Sequence, residues 1–316
     1  MPINVFLSDE LPKEKSNILS IITFCNKVDY KDRILSSGLV SENKSKKYEI
    51  WKVDEKVTQS KYQNINIVKN NSLLFGSVIF DNNKSYNHLS EQIQESYSNF
   101  HKIVNENKMQ IVKIWHYIPE LLKTYPDKKT NYSLLCKSRE MIYKKYYQNQ
   151  SYPAATVIGI EGKKILIYFF AVKCNFYKTI ENKRQVSSYN YPQKIFQEKP
   201  MFSRAVEFST NSLKDNKIVI SGTASIIGYE SMHNEDILSQ LEESLKNYKT
   251  FLEIDKNTSN ICRVYISKKE KENFYLVNNK LENYLGIDQF ILIYGDICRP
   301  ELLIEIEGIS DVKKTI

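Results

Sequence analysis

Only six of the 45 basic residues in this 316-residue chain are arginines, and five of them lie between residues 139 and 299: Arg139, Arg184, Arg204, Arg263 and Arg299. Where lysine serves almost everywhere, an arginine marks a place that needs a planar fork of donors. That fork holds a carboxylate by two parallel hydrogen bonds. Four segments stand out from a Lys/Asn-rich background: NYSLLCKSRE (131–140), ENKRQVSSYNYP (181–192), the stretch from FSRA to SGTASIIGYES (202–231), and GDICRPELLIEIEG (295–308). They hold four of the five arginines, several tyrosines, and the acidic run Glu301, Glu305 and Glu307. On a strand from Glu301, alternation places Glu301, Leu303, Glu305 and Glu307 on one face and Leu302, Ile304 and Ile306 on the other, against the core. Two readings of the acidic face stay open. It is the charged face of an edge strand, or it holds a carboxylic acid among apolar neighbours, its pKa raised so that it can give up a proton.

Other chemistries find less support. Five scattered cysteines (Cys25, Cys136, Cys174, Cys262, Cys298) form no CxxC pair, and the four histidines share no ligand spacing, which argues for reduced thiols and against a zinc site or other metal centre. Cys298 could be reactive beside Arg299, since a cation lowers a thiol's pKa, or it could be a buried and inert cysteine. Ser187, Ser188 and Ser203 have no nearby histidine, so a serine-hydrolase triad is not expected. GTASIIG lacks the GK[ST] ending of a phosphate loop, although its small residues would let a ligand approach closely. These patterns point to a site for an anionic small molecule, with Arg and Tyr clamps and one candidate acid.

The elements that must position these residues read as an α+β chain that repeats itself. In the second half, Phe202–Phe208 and Lys217–Ser225 are predicted strands. Asn234 is a predicted cap for a helix carrying Ile237, Leu241, Leu245 and Leu252. A strand from Cys262, a helix over 269–284 stopped by Gly286, and strands over 289–294 and 301–307 complete the order β-β-α-β-α-β-β. The first half follows the same order. It has strands from Lys47 and over 72–80, a helix over 88–105, a strand over 110–117 and a helix over 132–147. A hairpin of 155–160 and 164–172 about Glu161-Gly162 closes it. Corresponding elements lie about 136 to 155 residues apart, which implies two similar units in tandem, with mixed sheets and helices on one face. The expected divisions are an N-terminal α+β domain over 1–172, a connecting segment over 173–200 that contributes to the site, and a C-terminal domain over 201–316.

Composition sets the outer limits. The chain is 41% hydrophobic with only 9 Gly and 8 Pro, which excludes collagen-like and largely disordered classes. The longest apolar run, Ile165–Val172, is far short of the roughly 20 residues of a membrane helix. The first residues lack the apolar stretch of a signal peptide, so a cytoplasmic protein with no membrane role is expected. The +8 charge is spread over interleaved lysines rather than gathered in an Arg-rich stripe, so no nucleic-acid partner is expected.

In RQVSSYNYP, FSRA, SGTASIIGYES and GDICRPELLIEIEG the sequence resembles the chorismatase family, enzymes that split chorismate into pyruvate and a cyclic carboxylic acid. The likeness runs from about Asn131 to Gly308, and CRPELLIEIEG also resembles the close of YjgF/RidA-like proteins. The resemblance implies a YjgF/RidA-like C-terminal domain beside a related N-terminal one. It also implies chorismate as the small-molecule substrate and no metal or organic cofactor. By motif position Glu305 matches the family's catalytic glutamate, and Tyr132, Arg139 and Tyr189 match substrate-binding positions. Arg204 and Arg299 are added here as further carboxylate clamps. Ala224 and Cys298 fall where the family's product-determining residues stand. Ala224 resembles the hydrolysing type, which yields a dihydroxycyclohexadiene carboxylate, and Cys298 the type that yields 3-hydroxybenzoate. A 3- or 4-hydroxybenzoate product is favoured, the 3-isomer first. A RidA-like enamine/imine deaminase or metabolite binder is the competing reading, and a basic RNA-binding protein the third. Two units in one chain can cover the surfaces that a RidA trimer would bury, so a monomer is expected.

Overall fold

Runs rich in Ile, Val, Phe and Tyr become strands, and three sheets hold most of them. The computed structural model describes residues 3–43, 46–82, 86–126, 129–193, 198–210, 216–252, 260–286 and 289–312. The first sheet comprises β1 (Asn4–Ser8), β2 (Ile18–Thr23), β3 (Val28–Lys31), β4 (Ile34–Ser37) and β5 (Tyr48–Lys52), in the order β1-β5-β2-β4-β3.

Next come β6 (Thr58–Tyr62), β7 (Ile65–Lys69), β8 (Leu73–Asp81), α1 (Tyr86–Glu106), β9 (Gln110–Pro119), α2 (Asn131–Tyr146), β10 (Ala154–Ile160) and β11 (Lys164–Val172). They build a sheet ordered β10-β9-β11-β8-β7-β6. The remaining elements are β12 (Phe176–Ile180), β13 (Ala205–Ser209), β14 (Lys217–Ala224), β15 (Ile226–Ile227), β16 (Glu230–Ser231), α3 (Ile237–Lys249), β17 (Asn260–Ile266), α4 (Phe274–Leu285), β18 (Phe290–Tyr294) and β19 (Ile304–Asp311). Their sheet runs β12-β13-β14-β19-β17-β18, with β15 and β16 paired apart from it. Strand for strand the two orders coincide, down to the single parallel pair, β9 with β10 and β17 with β18. The tandem α+β reading therefore holds at the level of topology.

Several local expectations are corrected. The segments over 155–160 and 164–172 are strands but not a hairpin: β9, buried along nearly its whole length, lies between them and pairs with both. The strand from Lys47 belongs to the first sheet, and the opening strand of the repeat is β7, whose short INIVK run is a weaker signal. The helix expected after Asn234 is capped by Asp236, whose carboxylate accepts the Leu238 and Ser239 amides. The 202–208 strand begins only at Ala205, and the 301–307 strand at Ile304. The connecting segment contains β12, an outer strand of the second unit.

Each unit covers one face of its sheet with helices. Leu89, Ile93, Tyr97 and Phe100 of α1 pack on Ile114, Ile167 and Phe169; Leu241, Leu245 and Leu281 of α3 and α4 pack on Ile218, Val264 and Ile304. The other faces meet in a central core that includes Trp51, Phe75, Trp115, Phe170, Phe208 and Ile309. Burying each such side chain contributes roughly 1.5–3 kcal/mol, so this face-to-face packing fixes how the units sit. Among the described residues no helix is long and apolar enough to cross a membrane.

Candidate active site

The acidic run lies inside the protein. β19 is a central strand between β14 and β17, so the edge-strand reading fails. Ile304 and Ile306 face the helices as expected, while Glu305 and Glu307 face the other unit and are both buried. Glu301 precedes the strand and accepts a hydrogen bond from Ser231 Oγ at 2.6 Å.

Glu305 closes one end of a cavity of about 590 Å³, its mouth included, at the seam between the units. The seam is held where β10 meets β14. The Ala155 amide donates to Ser221 Oγ at 2.9 Å and the Gly222 amide to Thr156 Oγ1 at 3.1 Å. The β14–β19 register slips between Ile220 and Thr223, and the bulge leaves Gly222 under the Glu305 side chain. A Cβ at residue 222 would lie 2.6 Å from the Glu305 carboxyl carbon, so glycine leaves the room that this position of the carboxyl needs. Asn247 of α3 donates to the Ala224 and Ile226 carbonyls at 3.0 and 2.8 Å, fixing the end of SGTAS.

Helix α2 supplies the opposite wall. Thr130 and Ser133 form a reciprocal capping box at its start. Tyr132, Cys136 and Arg139 follow at i, i+4 and i+7, on one face. Arg139 is 0% exposed, yet among the described residues none of its guanidinium nitrogens has a hydrogen-bond partner. A guanidinium stays charged at any working pH, and a buried cation without a counter-ion is strongly unfavourable. Its place in the cavity wall therefore fits a site that an anion completes. Burial pushes the Tyr132 phenol well up, with Cys136 and Cys298 adding to the effect, so it stays a neutral hydrogen-bonding group.

Loops deliver the other two arginines. Arg204 Nη2 donates to the Val186 carbonyl at 3.0 Å and to Tyr191 Oη at 2.7 Å, and its guanidinium lies over the Phe202 ring. Arg299 Nη1 donates to the Tyr229 carbonyl and to Ser231 Oγ, both at 2.9 Å, and its guanidinium lies 5.6 Å from the Tyr191 ring. Tyr191 thus orients two cations. Burial, then Glu307, raises the Glu305 carboxyl to about 8, with Lys113 and Arg204 opposing. Burial, helped by Glu305, pushes the Cys298 thiol up to about 12, which favours the inert-thiol reading over the reactive-thiolate one.

Of the residues singled out in the sequence, Tyr132, Arg139, Arg204, Ala224, Cys298, Arg299 and Glu305 line this one cavity. Tyr189 does not: its ring packs on Tyr152 at 5.4 Å, and Tyr191 reaches the cavity instead. A turn of 3-10 helix at Ser188–Asn190 changes which tyrosine faces inward, and motif position alone does not show that. Thr156 was also missed, since nothing in its local sequence marks it, while Phe202 and Gly222 lie in the singled-out 202–231 segment without having been named as site residues. Arg184 is diverted to Glu243 and Asn247 of α3, and Arg263 to a buried pair with Glu49 at 2.6–2.7 Å.

Two related α+β units enclosing a buried carboxyl raised to about 8, a buried guanidinium with no hydrogen-bond partner among the described residues and two further arginines define a cleft suited to a small anionic ligand. Residues 49–171 match the family model described as the N-terminal domain of FkbO/Hyg5-like chorismatases. Over these residues the chain is similar to the chorismatase family. A chorismatase of Streptomyces rapamycinicus is 26% identical over 211 residues, 63% of each chain. A 3-hydroxybenzoate synthase of Streptomyces hygroscopicus is 21% identical over 95% of this chain and 93% of its own. A crystal structure of a chorismatase superposes with a TM-score of 0.82 at 21% identity, covering 98% of both chains, which shows that the fold is shared.

Proposed function

We propose that this protein cleaves the enol ether of chorismate, releasing pyruvate and a cyclic carboxylic acid, with Glu305 as the proton donor. The observation that carries the reading is the pairing, in one cavity, of a buried carboxyl raised to about 8 with the guanidinium of Arg139, which has no hydrogen-bond partner among the described residues. Chorismate bears two carboxylates, and Arg139, Arg204 and Arg299, with Tyr132, supply the donors to hold them. Glu305 transfers its proton to the terminal methylene carbon of the enolpyruvyl group, which becomes an oxocarbenium ion. The new carboxylate then faces that cation and stabilises it. Breakage of the C3–oxygen bond leaves the ether oxygen as the ketone of pyruvate. Loss of the C4 hydrogen as a proton then gives 4-hydroxybenzoate. For the 3-isomer the C4 hydroxyl oxygen bonds to C3 as pyruvate leaves, its proton passing to the Glu305 carboxylate. The epoxide then opens at C4 and loses the C3 hydrogen as a proton. General acid catalysis contributes about 10²–10⁴-fold, and the arginine clamps add positioning.

A hydroxybenzoate plus pyruvate contains the same atoms as chorismate, whereas the dihydroxycyclohexadiene carboxylate needs one added water. The preferred product is 3-hydroxybenzoate. The near full-length likeness to a 3-hydroxybenzoate synthase supports it, as does the neutral Cys298 thiol on the wall that carries Glu305. Ala224, on the strand facing Glu305, favours the hydrolytic alternative. The protein is expected to act as a monomer. Incubation with chorismate, without added metal, is expected to yield pyruvate in a coupled dehydrogenase assay and 3-hydroxybenzoate by chromatography. A non-aromatic diol moves the product assignment from Cys298 to Ala224. No pyruvate refutes the reading and turns attention to imines and other small keto-acid-like ligands of the arginines.

A further inference from the structure

Two glutamates sit two residues apart on one face of β19, and the protein treats them in opposite ways. Glu307 is met by donors on every side. Trp115 Nε1 lies at 2.8 Å, Thr156 Oγ1 at 2.6 Å and Arg263 Nη1 at 3.4 Å, and Lys113 Nζ and Tyr265 Oη complete the set. An indole N–H, an ammonium and a guanidinium can only donate, so a proton on Glu307 would leave them facing a group with fewer acceptor sites. The donors come from β9, β10 and β17, in both units. Behind them Arg263 is anchored on Glu49 of the first sheet, whose carboxylate also accepts from Trp51 Nε1 at 2.6 Å. Glu305 accepts no hydrogen bond among the described residues, although it is only 5% exposed.

We propose that the cluster built around Glu307 holds Glu305 in its acid form. It fixes a permanent negative charge two residues away and takes for that charge the donors that would otherwise ionise the acid. Glu307 and Lys113 are positioning residues for the proton, not catalytic residues. The groups facing Glu305 are Glu307 on its own strand, Lys113 from β9, Tyr265 as its register partner on β17, Arg204 and Cys298 from loops, and Tyr132 and Arg139 from α2. Thr156 joins the cluster to the cavity: it lines the cavity, donates to Glu307 and accepts from the Gly222 amide beneath Glu305. Burial alone would raise Glu307, but Lys113 and Arg263 hold it below the usual carboxylate range, in line with the hydrogen-bond pattern.

The proposal rests on Glu305 being the acid of the reaction, and its test separates the two ideas. Alternate strand residues are about 7 Å apart, close enough for a neighbouring charge to move a buried carboxyl by on the order of one pH unit. Glu307→Gln should move the alkaline limb of kcat/KM down by about that amount, and Lys113→Met should move it up. The infrared band of the protonated carboxyl, assigned by its loss in Glu305→Gln, should titrate with the same opposite displacements in the absence of substrate. Should Glu307→Gln fail to fold, Lys113→Met alone decides by the direction of its displacement. A structural cluster would lower stability or kcat while leaving limb and band in place, and that result overturns the proposal. Normal turnover by Glu305→Gln would instead overturn the proton-donor assignment.

Discussion

Glu305→Gln should stabilise the folded protein at neutral pH while ending its chemistry. Burial and the neighbouring Glu307 raise this carboxyl from 4.5 to about 8 in the native state. Between those values the unfolded chain has released the proton and the folded chain still holds it. The native state therefore binds more protons, and stability falls as pH rises. For one group the slope is about 1.4 kcal/mol per pH unit. At pH 7 the stability lost since pH 4.5 is on the order of 3 kcal/mol, and above about pH 8 the loss stops growing. Glutamine keeps the shape of the protonated acid and does not titrate, so the variant escapes the whole loss. Urea unfolding of both proteins from about pH 4.5 to 8.5 should show curves that meet at the acid end. The gap should widen through neutrality with the variant above, then run level. Pyruvate release by the variant should fall by about 10²–10⁴-fold in the same preparations. Parallel stability curves, or a variant weaker at every pH, would mean that Glu305 is ionised in the fold and would refute the reasoning.

Gly222→Ala should turn the Glu305 carboxyl out of position, because the new methyl meets its carboxyl carbon at 2.6 Å. A fall in kcat of about 10²-fold with little change in melting temperature is the expected result, and unchanged kcat would contradict the packing argument. Arg139→Met should raise the stability of the free protein by removing an unpaired buried charge, and should abolish most of the stabilisation by chorismate. In the unsubstituted protein that stabilisation approaches 2.7 kcal/mol at about 100 times Kd. Equal ligand-induced shifts in thermal unfolding would remove Arg139 from the carboxylate site.

The alternation of residues 301–307 determined that Glu305 and Glu307 share a face, because side chains on a strand repeat every second residue. The spacing of Tyr132, Cys136 and Arg139 placed them on one side of a helix for the same local reason. The β-β-α-β-α-β-β order was likewise legible, since buried helical and strand faces leave distinct periodicities. Other decisions depend on contacts between residues some 40 to 214 positions apart. Nothing near Glu305 reveals that its strand is central rather than at an edge; the pairing with β14 and β17 decides that. Arg184 and Arg263 look like Arg204 and Arg299 in sequence, but Glu243 and Glu49 claim them in the fold. The difference between Glu305 and Glu307 is the clearest case. Adjacent in the alternation and identical in type, they differ in the donors that β9, β10 and β17 bring to them from both units. Desolvation and charge act through space, so one became a fixed anion and the other an acid only when the two units closed on each other.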